Sequence, residues 1–285
     1  MAAGADRVPD EVVAVRRLSL LVSAVVAILF LAPATAQASP ALPTVMASTG
    51  DSITRGFDAT LFGCFLADCP ADSWATGSAS IVNSQYRRLL AIDPAVSGHN
   101  LNYARTGATM NELDGQMRSA ATAKAEYVTV LMGANDLCGS TLTTTADFTA
   151  QFHTALADFF AAAPAGARVY VSSIPNLNYL YNLFRTSSTA VSRWRTFGIC
   201  PPVLGASATV ASRAAVATRE AEFNNALATE CTALVWQGRC RWDGGTTFGY
   251  AFAKSDVSTV DYFHPSVSGQ ATLARISWAQ SFWGS

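Results

Sequence analysis

Apolar positions along the chain follow two alternating rhythms. Five short runs are dense in apolar and β-branched residues: Pro43 to Ala47, Asn100 to Ala104, Tyr127 to Met132, Arg168 to Ser172 and Ala233 to Trp236. Runs this short, apolar on consecutive positions, predict strands buried on both faces. Between them lie Ser80 to Ala91, Met110 to Ala121, Thr145 to Ala162, Ala211 to Thr229 and Ser266 to Phe282, where apolar residues recur every three or four positions. That spacing predicts amphipathic helices. Strand–helix alternation predicts an α/β fold, with a mostly parallel five-stranded sheet and helices on both faces. Sites in such sheets form beyond the carboxyl ends of the strands.

Two stretches break the rhythm. Phe57 to Gly77 and Asn176 to Val210 are long, contain cysteine, and mix aromatic with small residues. Loops of that length in a compact domain carry function or cover a site. Tyr179, Tyr181, Phe184, Trp194 and Phe197 make the second one apolar enough to bind an acyl chain or cover a cleft. A satellite core beneath a long loop is the competing reading.

The N-terminus is set apart from fold reasoning. Arg16 and Arg17 precede the apolar run Leu18 to Leu31, and Ala36-Gln37-Ala38 has the form of a leader-peptidase site. An apolar run this short, followed by small residues, predicts a signal peptide over 1–38 rather than a membrane span. The mature chain is expected to start at Ser39 and to form a single domain over 39–285. The paired arginines fit the twin-arginine route poorly, and general secretory export is favoured. No second long apolar run follows, so no stable membrane anchor is expected.

Composition changes the picture mainly by exclusion. A formal net charge of -1 over 285 residues leaves no basic footprint for nucleic acid. Charged residues make up 14% and hydrophobic residues 50%, which suits a compact globule and opposes disorder. A monomer is expected. Six cysteines in an exported chain predict three disulfides. Six allow fifteen pairings, and sequence alone does not select among them. The favoured set is Cys64–Cys69, Cys138–Cys200 and Cys231–Cys240, which joins near neighbours and ties the long second stretch to the segment around Asn135. No C-x-x-C or H-x-x-x-H spacing supports a zinc site, and neither metal nor cofactor is expected.

Four separated segments carry candidate chemistry: Gly50-Asp51-Ser52, Thr106-Gly107, Gly133-Ala134-Asn135-Asp136 and Asp261-Tyr262-Phe263-His264. The first three each follow a predicted strand, so they should reach one rim of the sheet. Ser52, at a strand-to-helix turn, would have a free backbone N–H and a helix start beneath it. Gly50 would allow the tight turn. A serine hydroxyl needs a base, and the chain has only three histidines. His99 reads as a loop residue and His153 as a helix-face residue. His264 precedes Pro265, which disfavours helical backbone at 264 and suits the first turn of the last helix. Asp261 can bond one ring nitrogen and leave the other facing Ser52. Gly107 N–H, the Asn135 amide and Ser52 N–H would be oxyanion donors. One such donor is typically worth about a hundred- to a thousandfold in rate. Asp136 is expected to hold the loop that carries Asn135. Each segment alone is equally an ordinary turn or cap; the set in this order is the signal.

Together these segments resemble the SGNH hydrolases, also called GDSL lipases or esterases, of the secreted actinobacterial type with several disulfides. Ser52, Gly107, Asn135 and His264 with Asp261 match the four blocks of that family, and Ile53 stands where leucine is commonest. The resemblance spans nearly all of the mature chain. It implies a flavodoxin-like three-layer α/β/α sandwich and two-step ester hydrolysis through a serine nucleophile. No G-x-S-x-G occurs, so the α/β-hydrolase nucleophile elbow is not supported. The expected partner is a small-molecule or lipid ester. A carbohydrate acetylesterase, with the same aromatics stacking on sugar rings, is the alternative enzyme. A secreted binding protein that keeps the fold without turnover is the alternative of another class.

Overall fold

A computed structural model describes residues 1, 2, 4 and 40–284. The expected leader and its cleavage site at 36–38 lie, but for residues 1, 2 and 4, outside the described residues. Five strands form one sheet: β1 Met46–Gly50, β2 Asn100–Asn102, β3 Tyr127–Leu131, β4 Arg168–Val171 and β5 Cys240–Trp242. Their order is β2-β1-β3-β4-β5, and all four pairings are parallel. This is the flavodoxin-like order, in which the chain reverses direction of winding between β1 and β3.

Alternation within the strands builds two apolar layers. Ala47, Val128, Val130, Val169 and Val171 face one way, against Met117, Phe152 and Phe223 of the helices Leu113–Thr122, Thr145–Ala162 and Val210–Cys231. Met46, Tyr127 and Tyr170 face the other way, against Leu89 and Leu273 of the helices Gln85–Ile92 and Val267–Ala279. Helices on both faces of a parallel sheet make the three-layer sandwich.

The structure moves several expected boundaries. β1 begins three residues later than the sequence suggests and runs to Gly50, so Ser52 follows it almost at once. The first helix starts at Gln85, because Asn83 adopts a left-handed φ of 49° and the Ser84 hydroxyl caps the helix by accepting from Arg87 N–H. Met110–Glu112 is a 3-10 turn ahead of the helix Leu113–Thr122.

The fifth strand is a correction. Leu234–Trp236 is a 3-10 turn, and the strand is Cys240–Trp242. Leu234 and Val235 are exposed, so their apolarity marks no buried strand. The Trp236 indole instead donates to the Glu230 carbonyl. Cys240-Arg241-Trp242 pairs only with β4, and an edge strand with one partner needs no apolar run.

The stretch 176–210 is a second correction. It is not a loop but three helices, Leu177–Phe184, Ser188–Phe197 and Pro201–Leu204. Asn176 and Ser187 cap the first two through side-chain oxygens. Phe184 and Trp194 are buried in the main core, so they form the core under the insertion rather than a free aromatic surface. Three disulfides join Cys64 to Cys69, Cys138 to Cys200 and Cys231 to Cys240. The second closes a separation of 62 residues, worth about 4 kcal/mol in the chain-entropy view. It fastens the insertion to the segment after Asn135.

Candidate active site

Backbone geometry decides where Ser52 sits. Gly50 holds φ of 140°, and a Cβ there would lie 2.2 Å from the Leu131 carbonyl oxygen. Only glycine therefore lets β1 end this close to β3. Gln116, buried in the neighbouring helix, clasps both backbone groups of Gly50: its Oε1 accepts from the N–H at 2.7 Å, and its amide donates to the carbonyl at 3.0 Å. Sequence reasoning missed Gln116, because a glutamine on an amphipathic helix carries no signal of what it faces. After Ser52 the chain makes a run of turns and not a helix. The left-handed conformations of Gly56 and Asp58 interrupt it, so the expected support from a helix start is lacking. Asp51 is buried, and its Oδ1 accepts from Ile53 N–H at 2.9 Å, which fixes the turn. Burial pushes the Asp51 pKa up to about 6, against the opposing pull of that hydrogen bond and of His264.

The imidazole arrives from the other end of the chain. His264 Nε2 lies 2.7 Å from Ser52 Oγ, and His264 Nδ1 lies 2.5 Å from Asp261 Oδ2. In the neutral ring, Nδ1–H donates to the carboxylate and Nε2 accepts from the serine hydroxyl. The other carboxylate oxygen of Asp261 accepts from Phe263 N–H and His264 N–H at 2.9 and 3.1 Å. That pair of hydrogen bonds closes the tight turn in which Tyr262 adopts φ of 58°. The Trp194 indole donates to the Tyr262 carbonyl at 3.0 Å, and the Phe184 ring packs edge-on against Tyr262. The insertion helices thus brace the turn that carries the histidine. Ser258 N–H donates to the His264 carbonyl at 2.8 Å, and Val257 bridges Pro265.

The segments that carry the suggested donors are tied to one another through Asn135 and Asp136. Asn135 is the second residue of the short helix Ala134–Cys138 after β3 and donates to the Ala108 carbonyl at 2.8 Å, leaving its second N–H. Asp136 accepts from Met110 N–H and the Thr143 hydroxyl, both at 2.9 Å, and so ties the Asn135 segment to the segment after Gly107. Gly107 holds φ of 82°. Among the described residues the N–H groups of Ser52 and Gly107 have no acceptor. His99 lies in the turn ahead of β2, and His153 sits on a helix with Nδ1 2.9 Å from Glu230. Neither joins the cluster.

Opposing effects set the charge of the histidine. Burial works to lower its pKa, but the Asp261 charge and hydrogen bond, helped by Asp51 and Asp58, raise it above the ordinary 6.5. Burial works likewise to raise Asp261, yet His264 and two backbone N–H groups hold it below the usual carboxylate range. Asp261 therefore carries the negative charge of the cluster.

Asp58 was passed over in the sequence, where one aspartate in a long irregular stretch gives no cue. It is fully buried, and its Oδ1 accepts from Leu66 N–H at 2.5 Å. One oxygen of Asp58, one of Asp261 and one ring nitrogen of His264 lie within 4.8 Å of one another. Three such groups could hold a metal ion, but both nitrogens of His264 already face Asp261 and Ser52. Burial first and the Asp261 charge second push the Asp58 pKa up to about 6. The folded state thus binds this proton more tightly than the unfolded state, whose value is 3.8. Its contribution to stability is complete below the unfolded value and lost as pH rises through the folded one. Asp58→Asn imitates the protonated form. Its melting temperature should match wild type near about pH 4 and exceed it at about pH 8. Removing the Asp58 charge should also move the acid limb of the pH–rate profile down, since that charge helps raise His264. A melting difference independent of pH would show that Asp58 is not the group that titrates.

The sequence profile of the GDSL-like Lipase/Acylhydrolase family matches residues 48–276. The chain belongs to that family. It is accordingly a hydrolase of ester substrates. A solved structure with a similar fold is LAE5, described as an alpha/beta hydrolase enzyme from the metagenome of Lake Arreo, Spain. It shares 14% identity with a TM-score of 0.50, covering 82% of this chain and 93% of that one. Protein YXIM of Bacillus subtilis aligns more loosely, at 14% identity and a TM-score of 0.38 over 83% of this chain and 55% of that one. No curated protein matches the chain at a significant level. Ser52, with the Gly-Asp-Ser wording and His264 Nε2 at 2.7 Å, lies within the matched residues.

Proposed function

We propose that this protein is an exported carboxylic ester hydrolase that works through a Ser52–His264–Asp261 triad and an acyl-enzyme. The observation that carries this reading is the unbroken hydrogen-bonded path from Ser52 Oγ through His264 to Asp261. His264 takes the Ser52 proton as the hydroxyl attacks the ester carbonyl. Charge that develops on the carbonyl oxygen meets the N–H groups of Ser52 and Gly107 and the remaining N–H of Asn135. The imidazolium, stabilised by Asp261, protonates the leaving alkoxide. Water activated by the same ring then releases the acid and restores the serine. Export is supported by three disulfides, which persist in oxidising compartments. No helix among the described residues is long and apolar enough to cross a membrane.

Apolar acyl groups fit the surroundings better than sugar rings do. A narrow cavity is lined by Ile53, Ala134 and Phe263, the chain neighbours of Ser52, Asn135 and His264. Leu177, Leu180 and Leu183 of the first insertion helix form another wall. Of the five insertion aromatics, Tyr179 lines this cavity, while Tyr181 stacks on Arg213 with the guanidinium 4.3 Å from the ring centre. Each methylene taken from water is worth about 0.8 kcal/mol. Second-order rate constants on p-nitrophenyl esters should therefore rise about three- to fourfold per added methylene from acetate until the cavity is full. Deacetylation of acetylated xylan with no gain from longer acyl chains would replace the lipid or simple-ester reading with the carbohydrate one.

A further inference from the structure

The first irregular stretch carries an apolar tip that the catalytic reading leaves unused. Leu61, Phe62, Phe65 and Leu66 are 53%, 86%, 50% and 46% exposed. No charged residue occurs between Ala59 and Ala67. A flexible loop of this composition would fold its phenylalanines back onto the protein. This one is held out. Cys64 is bonded to Cys69, Asp58 N–H donates to the Ala67 carbonyl, and Leu66 N–H donates to Asp58 Oδ1. The neck of the loop is therefore closed by three ties, and the tip projects beyond them.

Both ends of the loop are fixed to the walls of the active site. At its start, the Phe57 ring lies 5.0 Å from the His264 ring, and Asp58 stands beside Asp261. At its end, Asp68 accepts from the Thr106 hydroxyl at 2.5 Å, next to Gly107, and from Arg55 Nε at 2.9 Å. The tip thus rises from the rim between the base and an oxyanion donor. Asp68 is paired with Arg55, and the remaining carboxylate of the neck, Asp58, is buried at its base beside Asp261, away from the exposed tip.

We propose that the Leu61–Leu66 tip is an interfacial anchor that docks the enzyme onto aggregated lipid ester, setting the Ser52 site against the lipid surface. The occupant follows from three features on that face: apolar side chains with no charge among them, a rigid neck that orders the tip before it binds, and continuity with a site whose cavity is apolar. Anchoring through apolar side chains scales with the area they bury and responds little to salt. This inference rests on the ester hydrolase reading, and its test is arranged so that each can fail alone.

The test compares wild type with Phe62→Ser and with Phe62→Ser/Phe65→Ser. Neither residue is part of the catalytic machinery. Binding to dioleoylphosphatidylcholine vesicles is read by co-sedimentation, in a Ser52→Ala background, so that it needs no turnover. Activity is read on soluble p-nitrophenyl butyrate and on an emulsified triglyceride. Vesicle affinity should fall about tenfold or more per phenylalanine and change little between low and high salt. Triglyceride hydrolysis should fall in parallel, while p-nitrophenyl butyrate hydrolysis and melting temperature stay as in wild type. Equal vesicle binding by all three proteins would overturn the anchor, as would equal losses on both substrates. Dimerisation of wild type that the serine variants abolish, without vesicle binding, would assign the tip to a second copy of the chain. Inactivity of wild type on every ester, with vesicle binding intact, would sink the hydrolase reading and leave the anchor standing.

Discussion

Ser52→Ala is expected to reduce ester hydrolysis by about a millionfold while the protein remains folded. The magnitude follows from how the site is joined. Ser52 is the hydroxyl that touches His264 Nε2, at 2.7 Å, and among the described residues no second hydroxyl is bonded to that nitrogen. Without it, His264 can at most activate water, which is neither tethered nor aligned. The N–H donors of residues 52 and 107 and the Asn135 amide persist in the variant. A residual rate above that of water is therefore expected, on the order of a thousandfold. Single-turnover and steady-state rates on p-nitrophenyl butyrate check this, with a thermal melt to show that the fold is kept. Loss of less than about a hundredfold would place the nucleophile elsewhere.

Asp261→Asn is the second large effect, with a loss of about ten-thousandfold expected in kcat. Asn at 261 keeps the size of the side chain but removes the charge. It can still accept through its oxygen from the N–H groups of residues 263 and 264, so the turn should survive. Its amide group would then face His264 Nδ1 as a donor, forcing the proton onto Nε2 and turning the ring away from its role as base. The charge also contributes to the raised His264 pKa. The small remaining activity should therefore show its acid limb at lower pH than wild type, because neutral imidazole is the active form and now persists further down. Stopped-flow or steady-state pH profiles read both changes. A full-strength variant with an unmoved acid limb would mean that Asp261 serves the turn alone.

The residues that meet at the site were largely legible because their signals are local. A glycine ahead of Asp-Ser, a proline after His264 and an Asn-Asp pair after a strand each state a backbone requirement in a few adjacent residues. Parallel strands such as Tyr127–Leu131 were legible for a similar reason: burial on both faces leaves an unbroken apolar run. Illegible features depend on distant partners. Cys240–Trp242 is a strand only because β4 offers it an edge, while the more apolar Leu234–Trp236 has no such edge. Gln116, Asp58 and Trp194 matter through what they touch, at Gly50, Asp261 and Tyr262. Nothing in their flanking residues states those contacts. The stretch 176–210 read as a loop because its three helices are short and their apolar faces are shared with the main core.

A fluorophosphonate probe tests the central claim most directly, because it reacts only with a hydroxyl already activated by a base and faced by oxyanion donors. The protein should gain the mass of one phosphonyl group, and peptide mapping should place that group on Ser52. His264→Ala should lose the adduct while keeping its fold. An adduct on any other residue, or none on folded protein that still hydrolyses esters, would contradict the assignment of Ser52 and with it the triad.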